Sequence, residues 1–490
     1  MEEIYSYYKE NIDAYTRRLG NLKKKIHLMG SIRLALVAGA ILSLWIFRDE
    51  SWQCLTGITF AYIIPFALLM WYHNKMYARK VYAETLIKLN EDELKGLDYD
   101  FSAFDGAADK ISGEHSFCLD LDVFGDRSLF QSLNRTVTGF GRERLAGWLS
   151  NPLTDKKEIV KRQEAVKELA TLSALRQHFY VTGIIRQDTQ DTRDNDINFM
   201  DRLTQRKHKF VDSLPWKLLI WAVPVLWIVL GIAYSLDWIS GSLLNIYFLI
   251  TLVIAYGRAK EINALYATVN KMESIFNRYS KLMQCVEEDN FQSEELKEIS
   301  GQLANEKELA SHAIKRLSSY IGGLDQRFSL AGIIFNLFYL RDTRHAILLE
   351  RWIQTYSDKL PLWFDALARF DALNSLGSFA FNHPEYIYPE IAGVGETEES
   401  ALAKGITYQV IKLPMAYSGR FVAENEGVNG VCKVLLDEQQ RVIGAHILGN
   451  PASEIITLAG TAIELGLTAA QWKKIVFPHP TVGEIFREVL

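Results

Sequence analysis

Four long apolar runs interrupt an otherwise mixed pattern of hydrophobic and polar positions. Ser51 to Tyr72 (SWQCLTGITFAYIIPFALLMWY) contains no Asp, Glu, Lys or Arg, and at about 1.5 Å rise per residue such a helix crosses a hydrocarbon core of about 30 Å. Leu34 to Phe47 is shorter, and reaches spanning length when Leu28 to Ile32 join it and Arg33 snorkels or pairs. Leu218 to Leu236 and Trp238 to Tyr256 form a second pair around Asp237. Pro224 is tolerable in a membrane helix, and tryptophans stand near the ends. The pattern predicts two transmembrane hairpins; the plainer alternative is a set of core helices in a large soluble protein.

The flanks set the orientation, because Lys and Arg near span ends are retained on the cytoplasmic side. Arg17, Arg18, Lys23, Lys24 and Lys25 precede the first hairpin and Lys75, Arg79 and Lys80 follow it, while its loop has only Arg48 beside Asp49 and Glu50. Arg202, Arg206, Lys207 and Lys209 precede the second hairpin and Arg258 and Lys260 follow, with no Lys or Arg in its turn. Both hairpins therefore predict an integral inner-membrane, multi-pass protein with cytoplasmic soluble parts. A cleaved signal peptide is disfavoured by the long charged stretch before the first apolar run.

Between and after the hairpins the spacing is helical. In Phe130 to Leu169, Asn151 and Pro152 close one helix and Thr154 and Asp155 open the next, where Ile159, Gln163, Val166 and Leu169 recur by three or four. From Arg258 onward helix formers dominate; Gly322 and Gly323 predict a turn, and Phe328 to Leu340, too short to span, predicts a buried helix. Asn374 to Tyr388 loosens into Gly, Asn, His and Pro, as at a domain edge. After Pro389 the texture changes: Thr407 to Leu413, Val431 to Leu436 and Arg441 to Leu448 predict strands, with turns at 427–430 and 437–440. Helices at Ala452 to Leu465 and from Thr468 complete a small α+β unit.

The 490 residues, 49% hydrophobic, suffice for more than one core, and the net charge of −5 excludes the basic excess of a dedicated nucleic-acid binder. Cys54, Cys118, Cys285 and Cys432 form no C-x-x-C pair and read as reduced, buried small residues, so no metal site is expected. No G-x-x-x-x-G-K-[ST] loop occurs, which removes the usual phosphate cradle of an ATPase.

Leu133, Thr136, Thr138, Gly141, Arg144, Leu145, Trp148, Leu149, Pro152, Leu153, Asp155, Ile159, Arg162, Gln163 and Val166 carry a specific pattern. It resembles the opening of the core domain of the MutS family of DNA mismatch repair proteins, with a likeness extending over about 78–388. The resemblance implies a helical core whose levers link a DNA-encircling clamp to an ATPase, and the hairpin at 218–256 falls about where that family inserts its clamp. Arg142, Arg144, Lys156, Lys157, Lys161 and Arg162 are candidate contacts to a DNA phosphate backbone. Against this stands a solvated helix face, given the interspersed Glu143, Asp155, Glu158 and Glu164.

PEIAGVGETEESALAKGITYQ, SGRFVAENE, RVIGAHILGNPASEI and FPHPTVGEI resemble the C-terminal dimerisation domain of dihydrolipoamide dehydrogenase and related flavin disulfide reductases. That resemblance implies that His479 and Glu484 are the dyad that reaches into a partner subunit as a catalytic base. A carboxylate on one imidazole nitrogen fixes the tautomer and makes the other more basic. The redox cysteine pair and the G-x-G-x-x-G folds are lacking, since Gly393 and Gly395 have no third glycine. No cofactor is therefore expected in this chain, and FAD and NAD enter only through an intact partner subunit; the plainer reading of His479 is an orphaned surface histidine. Tyr388 to Ile391 (YPEI) fits the end of one resemblance and the start of the other equally well, as at a crossover.

The expected organisation is a cytoplasmic helix (1–27), a transmembrane hairpin (28–75) and the first part of a MutS-like core (78–215). A second hairpin (216–257), the helical second part of the core (258–388) and a dimerisation domain (389–490) follow. The fold class is a mainly α membrane-anchored helical core with four transmembrane helices, followed by a small α+β dimerisation domain. The expected function is a non-catalytic, chimeric or truncated product whose partners are the lipid bilayer, a homodimer or heterodimer mate through 389–490, and weakly bound DNA. The alternative is a dimerisation partner of a flavin-dependent dihydrolipoamide dehydrogenase that supplies the His-Glu dyad.

Overall fold

The computed structural model describes residues 2–112, 115, 118–119, 121–153, 155–185, 213–269, 272–305, 308–386, 391–424 and 430–490. Thr154, the flanking cations Arg202 to Lys209, most of the 427–430 turn and Tyr388 to Glu390 of the junction lie outside them. The chain divides into two compact units, Met1–His383 and Pro384–Leu490.

The first unit opens on two very long paired helices, α1 (Glu2–Ile46) and α2 (Trp52–Leu97). At about 1.5 Å per residue each is roughly 70 Å long, about twice a hydrocarbon core. They are held together through their apolar part by close small-residue and polar contacts. Ser43 Oγ and Tyr62 Oη lie 3.0 Å apart, the space beside Gly39 is filled by the Tyr62 ring, and Arg33 donates to Met70 Sδ at 2.9 Å. Their far ends bury Ile4, Tyr8, Leu86, Leu89 and Leu97 in two clusters that include Val181. A second apolar hairpin comprises the helices Leu214–Ser235 and Gly241–Tyr256, turned at Asp237 in a left-handed conformation. Among the described residues four helices are long and apolar enough to cross a membrane, and the most apolar stretches of α1 and α2 hold no buried residue.

Several of the remaining helices pack around Leu360–Asn382, which is buried along most of its length and contacts Gly139–Ser150, Lys156–Thr171 and Glu294–Leu303. Capping sets the starts of the first two: Thr138 Oγ1 accepts from Gly141 N at 2.9 Å and Asp155 Oδ1 from Glu158 N at 3.0 Å.

Three expectations are corrected. Gly322 and Gly323 lie inside the helix Ala310–Asp325 and make no turn; a Cβ on Gly323 would come within 2.2 Å of the His345 ring, so that glycine answers to packing. The stretch from Asn374 does not loosen until Asn382, because Gly377 lets the helix approach Leu169 and Ser375 Oγ donates to Leu133 O at 2.9 Å. The helix Leu330–Tyr339 is not buried: its large apolar side chains face outward. In addition Cys54, expected to be buried, is exposed.

The second unit is an antiparallel four-stranded sheet of β1 (Ile391–Gly395), β2 (Tyr408–Pro414), β3 (Val431–Asp437) and β4 (Val442–Leu448), in spatial order β1-β4-β3-β2. The helix Ala452–Glu464 packs on it, and Cys432, Val434, Ala445, Ile447, Trp472 and Phe486 form its core. The first strand has no apolar alternation to announce it, since Ala392, Gly393 and Gly395 make room for close neighbours.

Candidate functional site

The connection Asn134 to Thr138 is a buried polar region of the helical unit. Asp371, wholly buried on the Leu360–Asn382 helix, accepts from Val137 N at 3.1 Å, Thr138 N at 2.9 Å and Thr138 Oγ1 at 2.6 Å. Gly141 is required beside it, because a Cβ there would stand 2.1 Å from the Asp371 carboxylate. Next to this junction Arg135 forms a buried two-point pair with Glu93, at 2.6 and 3.2 Å. Asn382 Nδ2 donates to Glu93 Oε2 at 2.8 Å, and Tyr8 Oη donates to Asn382 Oδ1 at 2.6 Å. One network thus joins α1, α2, the connection and the central helix. Burial pushes the Tyr8 phenol well above its usual range, which keeps it a neutral donor.

Sequence reasoning missed Asp371, Glu93 and Arg135. A signal existed for the first: in Phe370 to Leu373 the acid stands among apolar positions that helical spacing assigns to the core. Nothing local marks Glu93, whose partner lies 42 residues away in sequence.

The candidate phosphate contacts occupy the Gly139–Ser150 and Lys156–Thr171 helices. Arg142 is paired with Asp105 and Asp109, Arg144 with Asp365, and Lys161 with Glu294, Glu295 and Glu298. Arg162 lies over the Trp148 ring at 3.8 Å, and burial lowers its pKa. Lys156 and Lys157 are exposed in the first turn of their helix. The acidic partners hold Arg142 and Lys161 firmly cationic, and they also occupy the donors a phosphate would need.

In the C-terminal unit, His479 Nδ1 and Glu484 Oε2 are 2.7 Å apart. The imidazole is 78% exposed while the carboxylate is 13% exposed, and Ser418 Oγ donates to Thr481 O behind it at 3.2 Å. The geometry presents an oriented imidazole whose Nε2 edge faces outward. It does not supply a redox thiol: Cys432 is buried and burial pushes its thiol up to about 12, so the nucleophilic thiolate is suppressed. Gly393 and Gly395 do not form a nucleotide cradle either. A Cβ on Gly393 would meet His446 Nδ1 at 2.6 Å and one on Gly395 would meet Ile443 O at 2.3 Å, so both glycines serve contacts within the sheet. Among the described residues no group of three or more His, Cys, Asp and Glu is placed to hold a metal.

A helical core closed by a buried polar junction, followed by a small antiparallel unit bearing an exposed His-Glu pair, defines a two-part protein. The chain belongs to the MutS domain III family, whose model matches residues 119–380, more than half of its length. Residues 384–490 match the family described as pyridine nucleotide-disulphide oxidoreductase, dimerisation domain. Similar curated proteins include the mitochondrial dihydrolipoyl dehydrogenases of Caenorhabditis elegans and Homo sapiens. Each is 39% identical over 104 residues, which are 21% of this chain and respectively 21% and 20% of those proteins. The chain thus spans about one fifth of the length of these relatives. Among solved structures, a Cu(II) complex of the HOCl-induced flavoprotein disulfide reductase RclA from Escherichia coli is 30% identical over 21% of this chain and 23% of its own, with a TM-score of 0.20. The architecture is therefore chimeric or partial: a MutS domain III joined to the dimerisation domain of an unrelated oxidoreductase family.

Proposed function

We propose that the chain is a non-catalytic, membrane-anchored MutS-like scaffold whose C-terminal unit pairs it with a second subunit. The observation that carries this reading is the continuity of α1 and α2. Their apolar stretches hold no buried residue, and the same two helices run without a break into the Tyr8, Glu93 and Asn382 network of the core. Exposed apolar surface of this extent is stable only in an apolar solvent, whereas its polar ends require water. Arg17, Arg18 and Lys23 to Lys25 on α1, with Lys75, Arg79 and Lys80 on α2, favour a core on the cytoplasmic side of an inner membrane.

The lack of a G-x-x-x-x-G-K-[ST] loop in the sequence favours a scaffold without ATPase chemistry of its own. Duplex contact in this reading falls to Lys156 and Lys157; it is weak, electrostatic and lost as salt rises. Alkaline carbonate extraction of membranes containing the full chain is expected to leave it with the lipid, and recovery in the supernatant would defeat the anchor.

The preformed His479–Glu484 pair favours a second reading, in which the C-terminal unit joins an intact dihydrolipoamide dehydrogenase subunit and offers His479 across the interface. FAD and NAD would then reside wholly in that partner. Mixing the two proteins is expected to give a flavin-containing heterodimer whose activity falls on His479→Ala by roughly 100-fold or more, the usual scale of general acid-base catalysis. Activity unaltered by that substitution, or no heterodimer, would reject it.

A further inference from the structure

Leu330–Tyr339 is a ten-residue helix that wears its polarity inside out. Gly332 and Asn336 face the protein, with Asn336 Oδ1 accepting from Asp342 N at 3.1 Å, while Leu330, Ile333, Ile334, Phe335, Phe338 and Tyr339 are between 41% and 77% exposed. In water this surface is unfavourable by about 25 cal/mol per Å² of apolar area. The helix is far too short to span a bilayer.

Its surroundings identify what covers it. Phe338 packs against Trp227 of the second hairpin, with ring centroids 4.6 Å apart, and Leu340 is buried against Val223 and Ala255. Arg344, just beyond the helix, donates to Ile220 O and lies over the rings of Trp221, at 4.9 Å, and Tyr339, at 3.8 Å. A guanidinium between a tryptophan and a tyrosine is the composition of a membrane boundary. From Ile220 to Trp227 is about 10 Å along the hairpin helix, which matches the 5–10 Å to which helices lying in the headgroup and acyl boundary sink. The chain entering and the chain leaving the helix are also tied to each other: Arg341 donates to Gln326 Oε1 at 2.9 Å, and Arg327 pairs with Asp342 at 3.2 Å in a buried contact. Both ends are thereby fixed to one polar base, so the segment enters and returns on the same side.

We infer that Leu330 to Tyr339 is an interfacial helix that inserts into the cytoplasmic leaflet beside the second hairpin without crossing the membrane. This rests on the membrane-anchored reading above and adds a lipid-contacting element to it. The seating couples the leaflet directly to the core, because Asp342, Arg344 and His345 sit on the next helix, Arg341–Tyr356, whose His345 packs against Gly323.

The test is spin-label accessibility in proteoliposomes of the full chain, on a Cys54→Ser background. Labels are placed singly at Phe335→Cys, at Leu330→Cys, at Val229→Cys in the hairpin and at Lys157→Cys in the core. The labels at 335 and 330 are expected to collide with oxygen and to lose collisions with a water-soluble nickel chelate, as at 229 and unlike 157. Nickel collisions at 335 and 330 equal to those at 157, with 229 still shielded, would overturn the interfacial helix alone. Nickel access at 229 as well would overturn the anchor too. Shielding of 335 from both reagents, with broadening between labels, would overturn the proposal in favour of a second copy of the chain.

Discussion

Replacing Asp371 by alanine is expected to destabilise the helical unit by roughly 3–5 kcal/mol, the cost of removing a buried charged group whose partners have no other solvation. The carboxylate takes three donors from Val137 and Thr138, and all of these residues are buried. Its loss strands two backbone N–H groups away from water and opens a void against Gly141, while the Thr138 cap on the next helix loses its anchor. Asp371→Asn retains one acceptor oxygen but turns an amide N–H toward donors, so it is expected to recover only part of the loss. Thermal unfolding in detergent, followed by far-UV circular dichroism, should show a fall on the order of 5–10 °C for the alanine variant. An unchanged midpoint would mean that the connection is not held from the central helix.

Glu93→Ala is expected to be of similar size, roughly 3–5 kcal/mol, for a different reason: it leaves the Arg135 guanidinium buried and unpaired. Arg135 also lies over the Phe104 ring at 3.3 Å and donates to Ser132 O and Asn134 O, so it has nowhere to turn for water. A double variant, Glu93→Leu with Arg135→Met, removes both charges and is expected to regain most of the stability, since well-packed apolar replacements of buried pairs are often neutral or better. Equal losses in the single and double variants would show that packing at the site, and not the stranded charge, sets the cost. Because Asn382 and Tyr8 hang from the same carboxylate, hydrogen exchange at the start of α1 should rise in the single variant.

How much of this was legible in the sequence depends on whether the signal was local. The apolar hairpins, the Asp237 turn, the helix break at Asn151 and the three strands from Thr407 onward follow from charge-free runs, breakers and β-rich composition, and the structure has them. Gly322, Gly323 and Gly377 misled because a glycine in a helix pattern resembles a stop, whereas here each admits a neighbour's side chain. Phe328 to Leu340 misled in the other direction: its composition suits a buried helix as well as a lipid-facing one, and only the outward direction of its side chains separates the two. Strand Ile391–Gly395 is hidden in the sequence because its glycines break the β-rich pattern, and their use against His446 and Ile443 is a long-range fact. The same holds for Glu93, Arg135 and Asp371, whose meaning lies in partners brought together by the fold. Three of the candidate cations show the converse: Arg142, Arg144 and Lys161, part of a basic stripe in sequence, are in the structure ion-paired with acids from elsewhere in the unit.

In the proposed topology two hairpins cross a membrane and leave the MutS-like core on its cytoplasmic face. The most direct measurement is labelling of single cysteines, on the Cys54→Ser background, with a membrane-impermeant thiol reagent applied to sealed spheroplasts. Asp49→Cys and Asp237→Cys, in the two hairpin turns, are predicted to react from outside, and Lys157→Cys only after permeabilisation. If the turn positions stayed unreactive until the membrane was opened, or Lys157→Cys reacted from outside alongside them, the predicted topology would be contradicted.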